Sequence, residues 1–214
     1  MNKKIIILGT AHLRTTPGKH SIDNRLYEYA YSREIVSLLE MELTKRGHIV
    51  LIDYPAAEPN SAMLALRYSN TNTKELKYRV AIVNNLCKKY GASNCVYVSI
   101  HVNAAMSDGK WHNASGFSVF VSLNASSSSK RLAMLFTQHA KTMKLTGNRS
   151  IPSAQYWQKN LCVLRETACP AVLTENLFQD NKADVDFLLS DQGRQAVVSL
   201  HLRAIEDYLN DKGN

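Results

Sequence analysis

The stretch Cys95-Val96-Tyr97-Val98-Ser99-Ile100-His101-Val102-Asn103-Ala104 decides the fold. Its nearly continuous, β-branched apolar run reads as a strand covered on both faces, as in a parallel sheet. The run exits into an imidazole. A strand of this kind carries nothing polar by default, so His101 is either a satisfied core histidine or a group held rigidly for chemistry. Two companions favour chemistry. His12 follows the apolar run Lys4-Ile5-Ile6-Ile7-Leu8, and Glu175 ends the run Ala171-Val172-Leu173-Thr174-Glu175. Ligands of open α/β sheets gather at the carboxyl ends of strands, and three ionisable groups fall at such ends here.

Working outward, hydrophobic periodicity predicts strands over 4–8, 49–53, 95–101, 116–122, 161–165 and 171–175, and helices over 25–46, 73–90, 128–144 and 191–211. This alternation argues for a layered α/β domain with a largely parallel sheet. The 214 residues suffice for a single domain, 1–214, with a substantial core. The polar loops 9–24 and 145–160 are long enough to be read as functional. In the first long helix, Ser32, Ile35, Leu39 and Leu43 form the core-facing stripe, and Glu28 begins it. An isolated buried carboxylate costs several kcal/mol. Glu28 therefore calls for a partner, either Arg25 or Arg33, or a metal ion.

Composition narrows the partners. The net charge of +8 favours anionic ones. However, the basic residues are scattered, and Leu8-Gly9-Thr10-Ala11-His12 lacks the glycines of a phosphate cradle, so no nucleic-acid or nucleotide partner is expected. The four cysteines form no CxxC pair, which argues against a zinc knuckle or a disulfide framework and fits a reducing compartment. No apolar stretch is long enough to span a bilayer. The N-terminal apolar run stops at Leu8, too short for a signal peptide, so synthesis in the cytoplasm is expected.

His12, Glu28 and His101 make a two-histidine, one-carboxylate set. Catalytic zinc sites use three such ligands and leave a fourth position for water. The three come from separate elements, with no short motif such as HExxH. Glu175 would be the second carboxylate, able to take a proton from water and pass it to a leaving amine; its bland alternative is an N-cap or an ion pair with Lys159 or Lys182. Glu166 is a rival, ranked lower because it follows Arg165 in a more polar setting. Trp111, Tyr156 and Trp157 either line a groove or pack against the core, with packing favoured for Tyr156. His112 reads as a surface residue, and His20, His48, His139 and His201 carry no site argument.

These residues resemble the zinc-dependent N-acetylmuramoyl-L-alanine amidases of the amidase type 3 group, from His12 to about Tyr208. The resemblance rests on the His12 loop with Thr16-Pro17-Gly18-Lys19 and on Leu26-Tyr27-Glu28-Tyr29-Ala30-Tyr31-Ser32. It rests further on Ser99-Ile100-His101-Val102-Asn103-Ala104 and on Pro170-Ala171-Val172-Leu173-Thr174-Glu175-Asn176-Leu177-Phe178 followed by Asn181. Arg79 and Asn84 fit a family helix. The resemblance implies a single α/β domain with a mixed, mostly parallel central sheet flanked by helices on both faces. It implies Zn2+ on His12, Glu28 and His101, with Glu175 as the catalytic glutamate. The bond cleaved joins the lactyl group of N-acetylmuramic acid to L-alanine of the peptidoglycan stem peptide. Arg165 is expected to stabilise the oxyanion, Asn103 and Trp111 to touch substrate, and the chain to act as a monomer on the cell wall after release or export by a route other than a signal peptide. Where the family has glycines after the first histidine, this chain has Leu13-Arg14, a bulkier turn that could bring Arg14 to the substrate. The alternatives are a zinc peptidase acting on other peptides and a non-catalytic wall-binding module.

Overall fold

The computed structural model describes residues 4–210. Six strands, β1 (Ile5–Thr10), β2 (Ile49–Ile52), β3 (Cys95–Asn103), β4 (Ser118–Val121), β5 (Trp157–Gln158) and β6 (Ala171–Phe178), form one sheet in the order β2-β1-β3-β6-β4-β5. All pairings are parallel except β4 with β6, so the sheet is mixed and mostly parallel, as expected. Around it run α1 (Glu28–Lys45), α2 (Ser61–Leu64), α3 (Thr71–Tyr90), α4 (Ser127–Thr142), α5 (Cys162–Arg165), α6 (Lys182–Leu188) and α7 (Asp191–Asn210).

Period-two alternation builds two cores, one on each face of the sheet. Ile6, Leu8, Val96, Val98 and Val172 face the layer of α1, α4 and α7, where Ile35, Leu39, Phe136 and Ile205 close over them. Ile5, Ile7, Cys95, Tyr97 and Leu173 face the other way, against Val80 and Val83 of α3 and Val163 and Leu164 of α5. Both faces of β1 and β3 are therefore dry, which is why their sequences read as unbroken apolar runs. The cysteines are free thiols, with Cys87, Cys95 and Cys169 buried. Among the described residues no helix is long and apolar enough to cross a membrane.

Three expectations need correction. Residues 162–165 form a helical turn rather than a strand, closed by Leu164 N–H and Arg165 N–H donating to the Leu161 carbonyl. The run is short and apolar, and periodicity cannot separate a buried strand from a buried turn at that length. The edge of the sheet beside β4 is taken instead by Trp157–Gln158. Glu175 does not end its strand: β6 continues to Phe178, so Glu175 lies within it. Finally, β4 begins at Ser118 rather than at 116: Gly116 is left-handed at φ 108, and Phe117 N–H donates to the Leu145 carbonyl outside the sheet. The expected end of the last helix at 211 lies outside the described residues.

Candidate active site

The register of the sheet assembles the site. β1 and β3 run in parallel with Thr10 opposite Ile100, and β3 and β6 run in parallel with His101 opposite Glu175. His12 follows β1 by two residues, in a left-handed turn at φ 47. Glu28 is the first residue of α1, and its N–H donates to the Lys19 carbonyl at 2.9 Å, which ties the helix start to loop 9–24. Ser32, one turn on, donates to the Ile100 carbonyl at 2.6 Å and accepts from Ala11 N–H at 2.8 Å. A single hydroxyl thus joins the residues that precede both histidines.

Neither Arg25 nor Arg33 neutralises Glu28. Arg25 goes to Asp23 and Asp186, and Arg33 goes to backbone carbonyls. Glu28, only 1% exposed, instead meets the two imidazoles. Its Oε1 lies 2.9 Å from His101 Nδ1 and 3.4 Å from His12 Nε2. Its Oε2 is buried without a hydrogen-bond donor, and Lys19 Nζ stands 3.5 Å away. One ligand atom from each of the three residues lies within 4.8 Å of the others. On the far side of His101, Nε2 is 3.0 Å from Ser99 Oγ. With Nδ1–H donating to Glu28, Nε2 accepts from the Ser99 hydroxyl; with the proton on Nε2, donated to Ser99, Nδ1 presents a lone pair beside the Glu28 carboxylate, the arrangement in which both become metal ligands. The donor set therefore fits a divalent metal of the zinc class, and Ser99 supplies the outer hydrogen bond that orients a ligating histidine.

The electrostatics agree. Burial pushes the Glu28 carboxyl up, but hydrogen bonds from His101 and His12 outweigh it and hold the group well below the usual range. Burial pulls the His101 imidazole down against the opposing pull of Glu28. Glu175, opposite His101, has a buried Oε2 with no partner. Burial first, and the Glu28 charge second, push it up to about 8, while Lys19 and Lys159 oppose them.

His12, His101, Glu175, Asn103, Lys19 and Lys159 all line one open cavity of about 260 Å³. Leu76, Phe120, Leu161 and Val163 add apolar lining. Asn103 is therefore where substrate contact was expected. Trp111 does not line this cavity and is 37% exposed. The structure does not bring in Arg165 either. Its guanidinium is taken by Asn160 and Glu166, and it lines a separate, serine-rich cavity at the amino ends of β3 and β6. The helical turn at 162–165 turns Arg165 away from the strand exit that the sequence suggested. Glu166 is settled between Lys77 and Arg165. Arg14 pairs with Glu58, and Leu13 is buried with Tyr54 and Met63, so the bulkier turn packs inward and Arg14 points away from the cavity. Tyr156 packs on the core, His112 pairs with Asp108, and His201 is a satisfied core histidine between Thr174 and Val197.

Sequence reasoning named Lys159 only as an ion-pair partner for Glu175, and it missed the roles of Lys19 and Ser99 and a buried network beside the site. Arg79 bridges Asp53 and Glu75, and Tyr97 donates to Asp53 at 2.9 Å. Gly9 makes room for that tyrosine, since a Cβ there would lie 2.4 Å from its hydroxyl. The available signal was Asp53, a carboxylate at the exit of the apolar run Ile49-Val50-Leu51-Ile52.

Residues 6–207 match the family described as N-acetylmuramoyl-L-alanine amidase. Among curated proteins, the endolysin of Bacillus phage SPP1 is 32% identical over 131 residues, a match spanning 61% of this chain and 46% of the phage protein. The matched segment is thus about half the length of that relative. Among solved structures, an N-acetylmuramoyl-L-alanine amidase from Clostridium difficile 630 superposes with a TM-score of 0.78 at 22% identity, covering 100% of both chains. The catalytic domain of CwlV, an N-acetylmuramoyl-L-alanine amidase from Bacillus (Paenibacillus) polymyxa var. colistinus, gives 0.73 at 23% identity, covering 98% of this chain and 99% of that one. The catalytic domain of the CD27L endolysin targeting Clostridia difficile gives 0.66 at 21%, covering 99% of each. At these identities the structures establish the fold.

Proposed function

The chain belongs to the N-acetylmuramoyl-L-alanine amidase family, and from that premise we propose that it hydrolyses peptidoglycan at the amide between the lactyl group of N-acetylmuramic acid and L-alanine of the stem peptide. The observation that carries the reading is one open cavity lined by His12, His101 and Glu175, with Glu28 buried behind it within ligand distance of both imidazoles and Glu175 Oε2 left unpartnered.

His12, Glu28 and His101 would hold Zn2+, which when bound supplies Lewis acidity toward a carbonyl and lowers the pKa of water. Glu175 takes a proton from the attacking water and returns it to the leaving alanine nitrogen. Burial and the Glu28 charge push this carboxyl up, which favours its holding the proton between the two transfers. Lys159 takes the place that Arg165 does not fill. Its ammonium lies 5.7 Å from the Phe120 ring centroid, and among the described residues no carboxylate pairs with it. It is available to negative charge on the substrate or in the transition state. Asn103 Oδ1 accepts from Ala104 N–H at 2.9 Å, which leaves the amide NH2 for substrate. The apolar lining excludes water from part of the cavity.

All of these groups come from one chain, so a monomer suffices. Because the substrate is the cell wall, we place the activity there, after release or export. A non-catalytic wall binder would have no use for a half-buried Glu175 with an unpartnered oxygen. A general zinc peptidase would share the donors. The test is digestion of purified peptidoglycan by wild type and Glu175→Gln, reading newly exposed L-alanine amino termini. Release by the wild type alone, with unconjugated peptides left intact, is the expected result. Cleavage of ordinary peptides at a similar rate would favour the peptidase, and no cleavage of either would leave the binder.

A further inference from the structure

We propose that Arg33 is a positioning residue of the metal site, whose guanidinium holds the backbone turn that aims His12 at Glu28. The proposal rests on the reading of His12 and Glu28 as ligands. The β1–β3 pairing ends at Thr10, so the carbonyls of Ala11 and His12 have left the sheet ladder. The chain then turns left-handed at His12, φ 47, a conformation that costs a residue bearing a Cβ about 1–2 kcal/mol. Something must hold it, and every Arg33 nitrogen is used to that end or to fix the arginine itself.

Arg33 Nη1 donates to the Ala11 carbonyl at 2.8 Å, and Nη2 donates to the His12 carbonyl at 2.9 Å. The remaining donors go to the carbonyls of Tyr29 at 2.8 Å, Pro55 at 3.0 Å and Ala56. Five backbone carbonyls thus surround one guanidinium, and no carboxylate pairs with it among the described residues. The planar fork of donors is what arginine has and lysine lacks. Burial, with Arg79 nearby, brings this guanidinium down to about 10, still a cation at neutral pH. Arg79 Nη2 also approaches the His12 carbonyl, at 3.4 Å, but Arg79 is committed to Asp53 and Glu75.

The placement has a consequence for the site. Glu28 and Arg33 lie on the same helix, five residues apart. The element that supplies one ligand therefore also fixes the backbone of another. Leu13 braces the same turn from its apolar side, buried against Tyr54 and Met63. A turn carrying Leu13-Arg14, without the conformational freedom of glycine, is held from both sides. Removing the fork would strand the Ala11 carbonyl, leave the His12 carbonyl only the 3.4 Å approach of Arg79, and free His12 to leave its 3.4 Å approach to Glu28.

The experiment measures zinc affinity of metal-free protein by competition with a chromophoric chelator, with folding checked by circular dichroism and thermal unfolding. Arg33→Met should bind zinc about 10–100-fold more weakly, the usual cost of losing a group that orients a ligand, and Arg33→Lys should fall between. Arg194→Met is the control. Arg194 joins Glu34 and the Leu189 carbonyl, away from the cavity, so its loss should lower the unfolding temperature without moving zinc affinity. Wild-type affinity in folded Arg33→Met, or an equal loss in Arg194→Met, overturns the assignment. Should Arg33→Met fail to fold, unchanged affinity in Arg33→Lys overturns it. A wild type that takes up no zinc overturns the metal reading itself, and this proposal with it.

Discussion

Two clusters of buried charge sit side by side at the carboxyl ends of β1 and β3, and they are completed in opposite ways. In the first, Asp53 and Glu75 share Arg79, which donates to each at 2.9 Å. Asp53 also accepts from Thr10 N–H at 3.0 Å, from Tyr54 N–H at 2.5 Å and from Tyr97 Oη at 2.9 Å. Its cation is part of the chain. In the second, Glu28 meets two imidazoles, one of them pulled down by burial, and a lysine at 3.5 Å from its outer oxygen. Glu175 faces the group with no partner for Oε2. The two clusters have similar burial and similar acids. In one, an arginine of the chain bridges the two acids, although Glu75 Oε2 keeps no hydrogen-bond partner; in the other, the carboxylate meets two imidazoles, a donor set that fits an added divalent cation, and both clusters border the same cavity.

The contrast can be broken at its strongest point first. His101→Ala removes one of three donors, and we expect complete loss of zinc by elemental analysis together with loss of amidase activity. Full zinc occupancy in that variant would show that the second cluster is not a receptor. Next is Glu175→Gln, which keeps shape and removes the proton carrier. Turnover should fall by about 10²–10⁴-fold, the usual worth of a general acid–base group, with zinc content unchanged. Near-normal turnover would move the base elsewhere. The third variant tests the first cluster. Arg79→Met strands Asp53 and Glu75 without their cation, so unfolding in urea should show a loss of about 3–5 kcal/mol, with zinc still bound by the folded fraction. A stable Arg79→Met would mean that the arginine bridge does not serve the fold.

Much of this was legible in the chain itself, and the limits have physical causes. The β3 run announced a two-faced strand because both faces are dry, and Glu28 stood out because it starts a stripe that continues through Ser32, Ile35 and Leu39. Each signal is local and periodic. Arg165 misled because a short apolar run has no period long enough to separate strand from turn. Lys159 stood out only as a possible partner for Glu175, because a lysine in a polar loop otherwise looks like any solvated lysine. The first cluster joins residues 26 apart in sequence across two elements, and only the register of β1 against its neighbours brings them together. Arg33, five residues from Glu28 on the same helix, reads from the sequence as an ion-pair partner for it. Its actual partners are backbone carbonyls, which leave no mark in side-chain patterning.

The smallest expected effect tests whether the turn after His12 reaches the substrate. Arg14 follows the buried Leu13 and pairs with Glu58 at the surface, where both side chains are more than half exposed. An exposed pair of this kind contributes about 0–1 kcal/mol, and Arg14 is not among the residues lining the cavity. Arg14→Ala should therefore leave KM, kcat and zinc affinity within about twofold of wild type, consistent with that small energy. Leu13→Ala, by contrast, empties a buried position and should cost about 2–5 kcal/mol of stability. If Arg14→Ala instead raised KM severalfold, the arginine would have to swing from Glu58 to the substrate in the bound state. The line between the inward-facing, structural side of this turn and the outward-facing side that meets the wall would then pass between Leu13 and Arg14.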